Sequence, residues 1–575
     1  MKKEEDRRNK TRWLPKAIEL AITPKLYKRI KPKSFLNDLF AGTTVGIVAL
    51  PLAMAFAIAS GASPEKGLFT AIVAGFLISV LSGSKFQIGG PTGAFVVIIY
   101  GVIQRHGYEG LIAATLLAGA FLIIFGLLRI GSYIKYIPHP VTTGFTSGIA
   151  LLILSTQIKD FFGLQIQNVP TDFLDKWPVF FKSFLTLSPN VLIISLSTVL
   201  IIFIVRKTYP KIPGQFIAVV LSALIVWYFG LNIDTIGSRF GGIPSTLPSF
   251  HLPYIKFATF RMVLPDALTI AILAAIESLL CAVVADGMTG DKHYSNTELV
   301  GQGAANIASA LFGGLPATGA IARTATSIKA GARTPLAGII HAFVILLFVV
   351  FLAPLASYIP LASLAGILVV VSWDMSEMRI FTRMFRAPKS DLAVMLLTFT
   401  LTVVADLTVA VQFGMILAAV LFMKRMSDVT KMEKVDVVYE SNEFDGDDPE
   451  AVDNIQAPKG VEIYEINGPF FFGVADKFSD EIGRIEANPK VIIIRMRYVP
   501  AIDATGIFAL ESFIKKSNAV GTQIVLSGVK RVPKRTLIKM GIAKLIGTKN
   551  ITDHIDSSLA RARQLIKDKD QKHTL

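Results

Sequence analysis

Gly89-Gly90-Pro91-Thr92-Gly93-Ala94 and, far downstream, Gly313-Gly314-Leu315-Pro316-Ala317-Thr318-Gly319-Ala320 interrupt the apolar runs of this 575-residue chain. Each is glycine-rich, so the backbone can be approached closely, and each holds a proline of the kind that suits the first turn of a helix. A helix that starts at such a point starts inside the membrane. Its free amide groups and about half a positive charge of helix dipole then face a cavity, an arrangement that suits an anion. Either stretch alone reads equally well as packing glycines and a kink, which membrane helices tolerate. As repeat partners they say more. Pro91-Thr92-Gly93-Ala94 recurs as Ala317-Thr318-Gly319-Ala320 at an offset of 226, Tyr136-Ile137-Pro138 recurs as Tyr358-Ile359-Pro360 at 222, and Asp38 and Asp266, each at the head of an apolar span, differ by 228. Three matches in the same order argue for two related halves of seven spans. Seven is odd, so the halves are inverted across the membrane, and inverted repeats place a binding site near mid-membrane between discontinuous helices.

The composition supports the membrane reading. Hydrophobic residues make up 52%, charged residues 17%, and the mean hydropathy is +0.56, too apolar for one soluble core. The apolar residues come in blocks such as Phe40 to Ile58, Leu111 to Leu128, Val191 to Val205, Phe216 to Phe229 and Ile339 to Leu352. With their flanks these approach the ~20 residues that cross a hydrocarbon core. Start and stop signals predict spans at 38–60, 67–82, 90–104, 110–129, 140–160, 189–205, 212–230, 264–286, 297–312, 318–330, 335–353, 357–372, 391–405 and 407–424. The dense Lys and Arg before Phe35 hold the N-terminus in the cytoplasm. An alternating count then puts Arg206, Lys207, Lys211, Lys292 and the Arg379, Arg383, Arg386, Lys389 cluster on the same side, together with the C-terminus. The net charge of +16 therefore sets topology and meets anionic lipid, with no nucleic-acid partner expected. The single cysteine, Cys281, excludes an intramolecular disulfide. No cleavable signal peptide is apparent, and the cell (inner) membrane is the expected location.

Arg323 falls just inside the second short helix, where an arginine is costly and must face a cavity or a partner. It either neutralises a bound anion or pairs with Glu277, an acid in the otherwise apolar Ala274-Ala275-Ile276-Glu277-Ser278-Leu279-Leu280. Desolvation favours the neutral form of such a carboxyl and a nearby cation favours the charged form. Glu277 is thus a candidate proton carrier, the alternative being a permanent ion pair with Arg323. Asp286 and Asp406 read as interfacial or capping residues, and His139 and His341 as packing residues. No Cys/His cluster with metal spacing, no Lys-Ser or Lys-Thr ending a Gly-rich phosphate loop, and no nucleophile-base constellation is found, so neither a cofactor, ATP-driven transport nor an enzyme is expected.

Pro64-Glu65-Lys66-Gly67-Leu68-Phe69-Thr70-Ala71, continuing to Ser82-Gly83-Ser84-Lys85, is similar to the signature of the SulP sulfate-permease family, solute carrier family 26. It departs at Lys66 and Phe69, where the family often has tyrosine. The resemblance continues through Glu277, Val284-Ala285-Asp286-Gly287-Met288-Thr289-Gly290, Arg323 and the C-terminal part. It implies an all-α polytopic fold of about fourteen spans, a seven-plus-seven inverted repeat with core and gate domains, and an anion held between the third and tenth spans. It places Phe56, Thr92, Gly93, Ala94, Thr318, Gly319, Ala320 and Arg323 near the anion, with Glu277 of the eighth span as coupling residue. Some sodium-coupled relatives carry aspartate and threonine where this chain has Glu277 and Cys281. A thiol is a poor sodium ligand, which favours protons. Leu52 replaces a polar residue of some relatives and bears on selectivity.

After Lys424 the composition turns mixed, and 426–456 reads as a linker with an acidic loop from Glu440 to Asp453. Residues 1–36 are a basic cytoplasmic segment, 37–425 a transport domain, 457–567 a small α/β domain and 568–575 a tail. Strands are predicted at Val461 to Ile466, Val491 to Ile494 and Ile524 to Leu526, with a helix at Ile507 to Lys516. This part resembles a cytoplasmic STAS domain. Thr505 in Asp503-Ala504-Thr505-Gly506 matches the residue that anti-sigma antagonists of that fold phosphorylate. The plainer reading is a helix N-cap at Asp503, with the domain serving dimerisation or regulation. The leading function is secondary transport of a small inorganic or carboxylate anion, proton-coupled, by a homodimer. A sodium-coupled symporter, an uncoupled channel or exchanger, and a sensor are the alternatives.

Overall fold

A computed structural model describes residues 32–133, 137–167, 169–170, 172–209, 213–253, 256–405, 407–434, 457–471 and 489–573. Tyr136, Lys211, Asp406, most of the basic N-terminal segment and the acidic loop lie outside the described residues. The helices over the predicted spans are α1 (Pro32–Ala59), α2 (Pro64–Leu81), α3 (Gly93–Leu127), α4 (His139–Phe162), α5 (Pro189–Thr208), α6 (Gly214–Phe229), α7 (Leu264–Thr289), α8 (Ser295–Leu311), α9 (Ile321–Lys329), α10 (Leu336–Ala356), α11 (Leu361–Met375), α12 (Lys389–Val404) and α13 (Leu407–Val429), the last running across the boundary between the two units. Each of the fourteen spans read from the sequence falls on one of these, because α3 is two limbs joined at Gly107, where φ is 69° and ψ −178°. Nine helices among the described residues are long and apolar enough to cross a membrane.

The two halves repeat in inverted form. Pro138 and Pro360 occupy the same place, each the N-cap of a long helix with nearly equal backbone angles. Asp38 in α1 accepts from Arg333 N (2.6 Å), Thr334 N (3.1 Å) and Thr334 Oγ1 (2.6 Å), just before α10. Its repeat partner Asp266 in α7 pairs with Arg105 (2.6 Å) and His106 (3.3 Å), just before the second limb of α3. Each aspartate at the head of one half thus holds the entry to the corresponding helix of the other.

Packing separates the helices into two blocks. Helices α1–α3 and α7–α10 pack on one another, as do α4–α6 with α11 and α12. Small residues let backbones approach within the first block: a Cβ on Gly119 of α3 would lie 2.7 Å from Gly303 O of α8. Gly414 brings α13 against Thr398 of α12 in the second.

The second unit begins at Leu417. Its sheet runs in the order β3-β4-β5-β6-β7, with β3 (Lys431–Lys434) antiparallel to β4 (Val461–Asn467), and β5 (Val491–Tyr498), β6 (Gln523–Ser527) and β7 (Ile551–Thr552) continuing in parallel. Strand β3 lies within the stretch read as linker. Ile492, Ile494 and Met496 point to one face, covered by α14 (Ala504–Ala519), α15 (Arg531–Lys539) and α16 (Ile542–Ile546), while Val491 and Ile493 meet α17 (Ile555–His573) on the other. A strand buried on both faces reads as a continuous apolar run. Asp503 caps α14 by accepting from Gly506 N at 2.8 Å, and Thr505 is exposed in its first turn.

Candidate anion site between two half-helices

The two glycine-rich stretches meet. β1 (Gly89–Gly90) pairs antiparallel with β2 (Thr318–Gly319), Gly89 opposite Gly319 and Gly90 opposite Thr318. Helix α3 starts from Thr92 and α9 from Ala320, so two helix N-termini converge across a two-residue ribbon. Pro91 precedes the N-cap and does not sit in the first turn, because the extended ribbon reaches as far as Thr92 (φ −129°, ψ 157°). Side chains are barred from the crossing. A Cβ on Gly319 would lie 1.7 Å from Gln87 Nε2, and one on Gly90, at φ 145°, 2.9 Å from Arg323 Nη1.

The predicted site residues then divide by what their polar groups do. Thr318 Oγ1 bonds Ser278 Oγ (2.6 Å) and Ala274 O (3.3 Å), Gly319 N donates to Ser278 Oγ (3.2 Å), and Ala320 N donates to Ile88 O (2.8 Å). These three build the scaffold. Arg323, 3% exposed, donates through Nη2 to Pro91 O at 2.5 Å, tying the second half to the first. Its Nη1 and the buried Thr92 Oγ1 have no hydrogen-bond partner among the described residues. A buried polar atom left unmatched costs about 1–3 kcal/mol, more when charged, so both atoms favour a ligand. Gly93 and Ala94 follow Thr92 in the first turn of α3, and the Phe56 ring closes on them: a Cβ on Gly93 would lie 3.3 Å from its Cε1. Glu277 is buried on α7 beside Ser278 and forms no ion pair with Arg323 among the described residues. Thr505 belongs to the second unit.

Several supports were missed from sequence. Gln87 Nε2 donates to Ser278 O (3.2 Å), and Thr324 Oγ1 accepts from Ile88 N (3.0 Å) and Cys281 Sγ (3.2 Å). Along α8, Glu298, Gln302 and Asn306 form a buried polar row at i, i+4 and i+8. Glu298 accepts from Ser84 N (3.0 Å) and Gln302 Nε2 (2.9 Å), and Asn306 pairs with both N and O of Ala317 at 2.8 Å. The row fixes the approach to each half-helix. Its spacing was the signal: three polar residues on one face of a span. Asp286, read as interfacial or capping, accepts from His293 N (3.1 Å) and meets its Nδ1 (2.7 Å) at the end of α7.

The sequence profile of the sulfate permease family matches residues 35–398, and that of the STAS domain matches 454–562. The chain belongs to the sulfate permease family. It is 41% identical to the putative sulfate transporter YvdB of Bacillus subtilis, over 92% of this chain and 98% of that one. It is 32% identical to the bicarbonate transporter BicA of Picosynechococcus, over 92% and 94% respectively. The structure of murine Slc26a9, an anion transporter in an inward-facing state, superposes with a TM-score of 0.83 over 98% of both chains at 17% identity, which speaks for the fold alone. The chain is therefore a multi-pass membrane protein of a sulfate and bicarbonate transporter family, ending in a STAS domain.

Proposed function

We propose that this sulfate permease is a secondary transporter of small anions, sulfate, bicarbonate or a dicarboxylate, held between the N-termini of α3 and α9. The observation that carries the reading is the ribbon pairing that brings the starts of α3 and α9 together, with Thr92 Oγ1 and Arg323 Nη1 each buried and without a hydrogen-bond partner among the described residues. Thr92, Gly93, Ala94, Phe56 and Arg323 face the anion, while Thr318, Gly319 and Ala320 hold its floor. Transport proceeds by alternating access, the block of α1–α3 and α7–α10 moving against the block of α4–α6 and α11–α13. A small apolar crevice of about 30 Å³ lies between Ile98 and Ile276 of the first block and Phe145 and Val411 of the second.

Glu277 couples the anion to a proton. It lies one residue from Ser278, whose hydroxyl holds the floor, and no guanidinium among the described residues pins it as an ion, Arg323 donating to Pro91 O instead. An ionised acid at mid-membrane costs ~2.5–3.5 kcal/mol on insertion scales, and protonation relieves that cost as the carrier moves. The protein is a homodimer of the cell (inner) membrane with both termini cytoplasmic, the region 37–425 transporting and 457–567 regulating. The test is anion uptake into proteoliposomes with and without an inward proton gradient at fixed membrane potential, over sulfate, bicarbonate, a dicarboxylate and chloride. Uptake driven by protons in the wild type, and gradient-insensitive exchange in Glu277→Gln, is expected. A wild type that ignores the gradient, or needs sodium, rejects proton coupling and leaves the sodium symporter or the uncoupled exchanger. Uptake of none of the anions rejects the transporter.

A further inference from the structure

Between Lys530 and Asn550 the STAS domain carries Lys530, Arg531, Lys534, Arg535, Lys539, Lys544 and Lys549 without one acidic residue. Helix α15 buries Pro533 and Leu537 against the sheet, which turns Arg531, Val532, Arg535, Ile538 and Lys539 outward. Val532 is 62% and Ile538 55% exposed, so the outward face mixes cations with large apolar side chains. A merely solvated helix face has no need of the latter. Basic and apolar residues together on one helix face fit the boundary between lipid headgroups and acyl chains.

The sheet register says which end of the domain bears this face. Chain leaving the apolar helix α13 at Val429 enters β3 at Lys431, opposite Asn467 at the end of β4. Because β4, β5 and β6 are parallel, Tyr498 and Ser527 finish at that same end of the sheet, and Lys530 and Arg531 follow Ser527 after Gly528 and Val529. The start of α15 therefore lies at the end of the sheet where β3 enters from the membrane-crossing helix α13.

We propose that the outward face of α15 docks on the anionic headgroups of the bilayer that holds the chain, through Arg531, Arg535 and Lys539 with Val532 and Ile538 entering the headgroup layer. Contact with an anionic leaflet is worth ~1 kcal/mol per Lys or Arg, about fivefold in association for each cation, and is weakened by salt. The inference stands on the STAS domain and its tether and is independent of which anion is carried.

The test is deuterium exchange of the full-length protein in nanodiscs of phosphatidylcholine alone or with phosphatidylglycerol. Residues 531–546 should exchange more slowly in the anionic discs and lose that protection at high salt. The variant R531Q/R535Q/K539Q should lose it too, whereas R531K/R535K should keep it, with exchange in β4 to β6 unchanged in both. Equal exchange in the two lipids overturns the proposal. So does protection that persists in neutral discs, because a protein surface would then cover the face.

Discussion

The glycine stretch before α3 and the one before α9 share a ribbon and place their threonines differently. Both make one strand and both launch a helix, yet Thr92 is the N-cap of α3 with its hydroxyl unmatched among the described residues, while Thr318 sits in the strand, two residues before the N-cap Ala320, bound to Ser278. The second half also supplies the arginine, and that arginine reaches back to Pro91 of the first. Duplication gave two equivalent frames, and the halves then divided the work: α3 presents backbone, hydroxyl and the neighbouring Phe56 ring, whereas α9 presents charge on a braced floor. A symmetric pair of helix dipoles recognises any anion. On the proposed reading, the asymmetric additions carry the selectivity.

The largest break in that division is Arg323→Ala. It removes the cation and the strap to Pro91, and a hydrogen bond to a charged group is worth about 1.5–3 kcal/mol, so anion affinity should fall by about 10- to 100-fold in a titration while the purified protein remains folded. Unchanged affinity would remove Arg323 from the anion. Next comes Gly319→Ala, aimed at the floor. The added Cβ displaces Gln87 and breaks its bond to Ser278 O, leaving buried polar groups unmatched at about 1–3 kcal/mol. A clear drop in Tm should result, while Gly287→Ala on α7, where a Cβ meets nothing within 4 Å, should leave Tm in place.

A finer cut is Thr92→Val. The hydroxyl has no partner among the described residues, so Tm should hold or rise slightly, whereas affinity should fall by about 2- to 10-fold, the worth of one neutral hydrogen bond. Thr318→Val should do the reverse, lowering Tm more than affinity, because its hydroxyl is bound to Ser278 and Ala274. If the two variants behave alike, the two halves are chemically equivalent. The smallest effect is expected from deleting everything from Ala457 onward: anion binding to the membrane part should persist, with transport or dimerisation weakened. Lost binding in a folded truncation would bring the STAS domain into the site.

Much of this division was legible in the sequence. The spans followed from apolar blocks, and the repeat from Pro138 with Pro360 and Asp38 with Asp266, because a helix start and its cap have local signatures. What escaped was non-local. Nothing in Gly89-Gly90 or Thr318-Gly319 announces a strand, since two residues have no period and their pairing spans the length between the halves. Strand β3 is the charged Lys431-Met432-Glu433-Lys434, which shows no apolar alternation and takes its identity from β4. Ser278 looked like a small residue beside Glu277, and only the fold shows it clasping the floor. Glu277 and Arg323 could be paired or apart from sequence. They are apart, because Arg323 turns toward Pro91.

The central claim is that both half-helices hold one anion. It is tested most directly by titrating sulfate and bicarbonate against the reconstituted full-length protein while following deuterium exchange in α3 and α9. The account predicts that the transported anion slows exchange in the first turns of both helices, and that Thr92→Val and Arg323→Ala each raise the concentration needed, the latter more. Protection confined to one helix, or a titration that either substitution leaves unmoved in an otherwise folded protein, would contradict it.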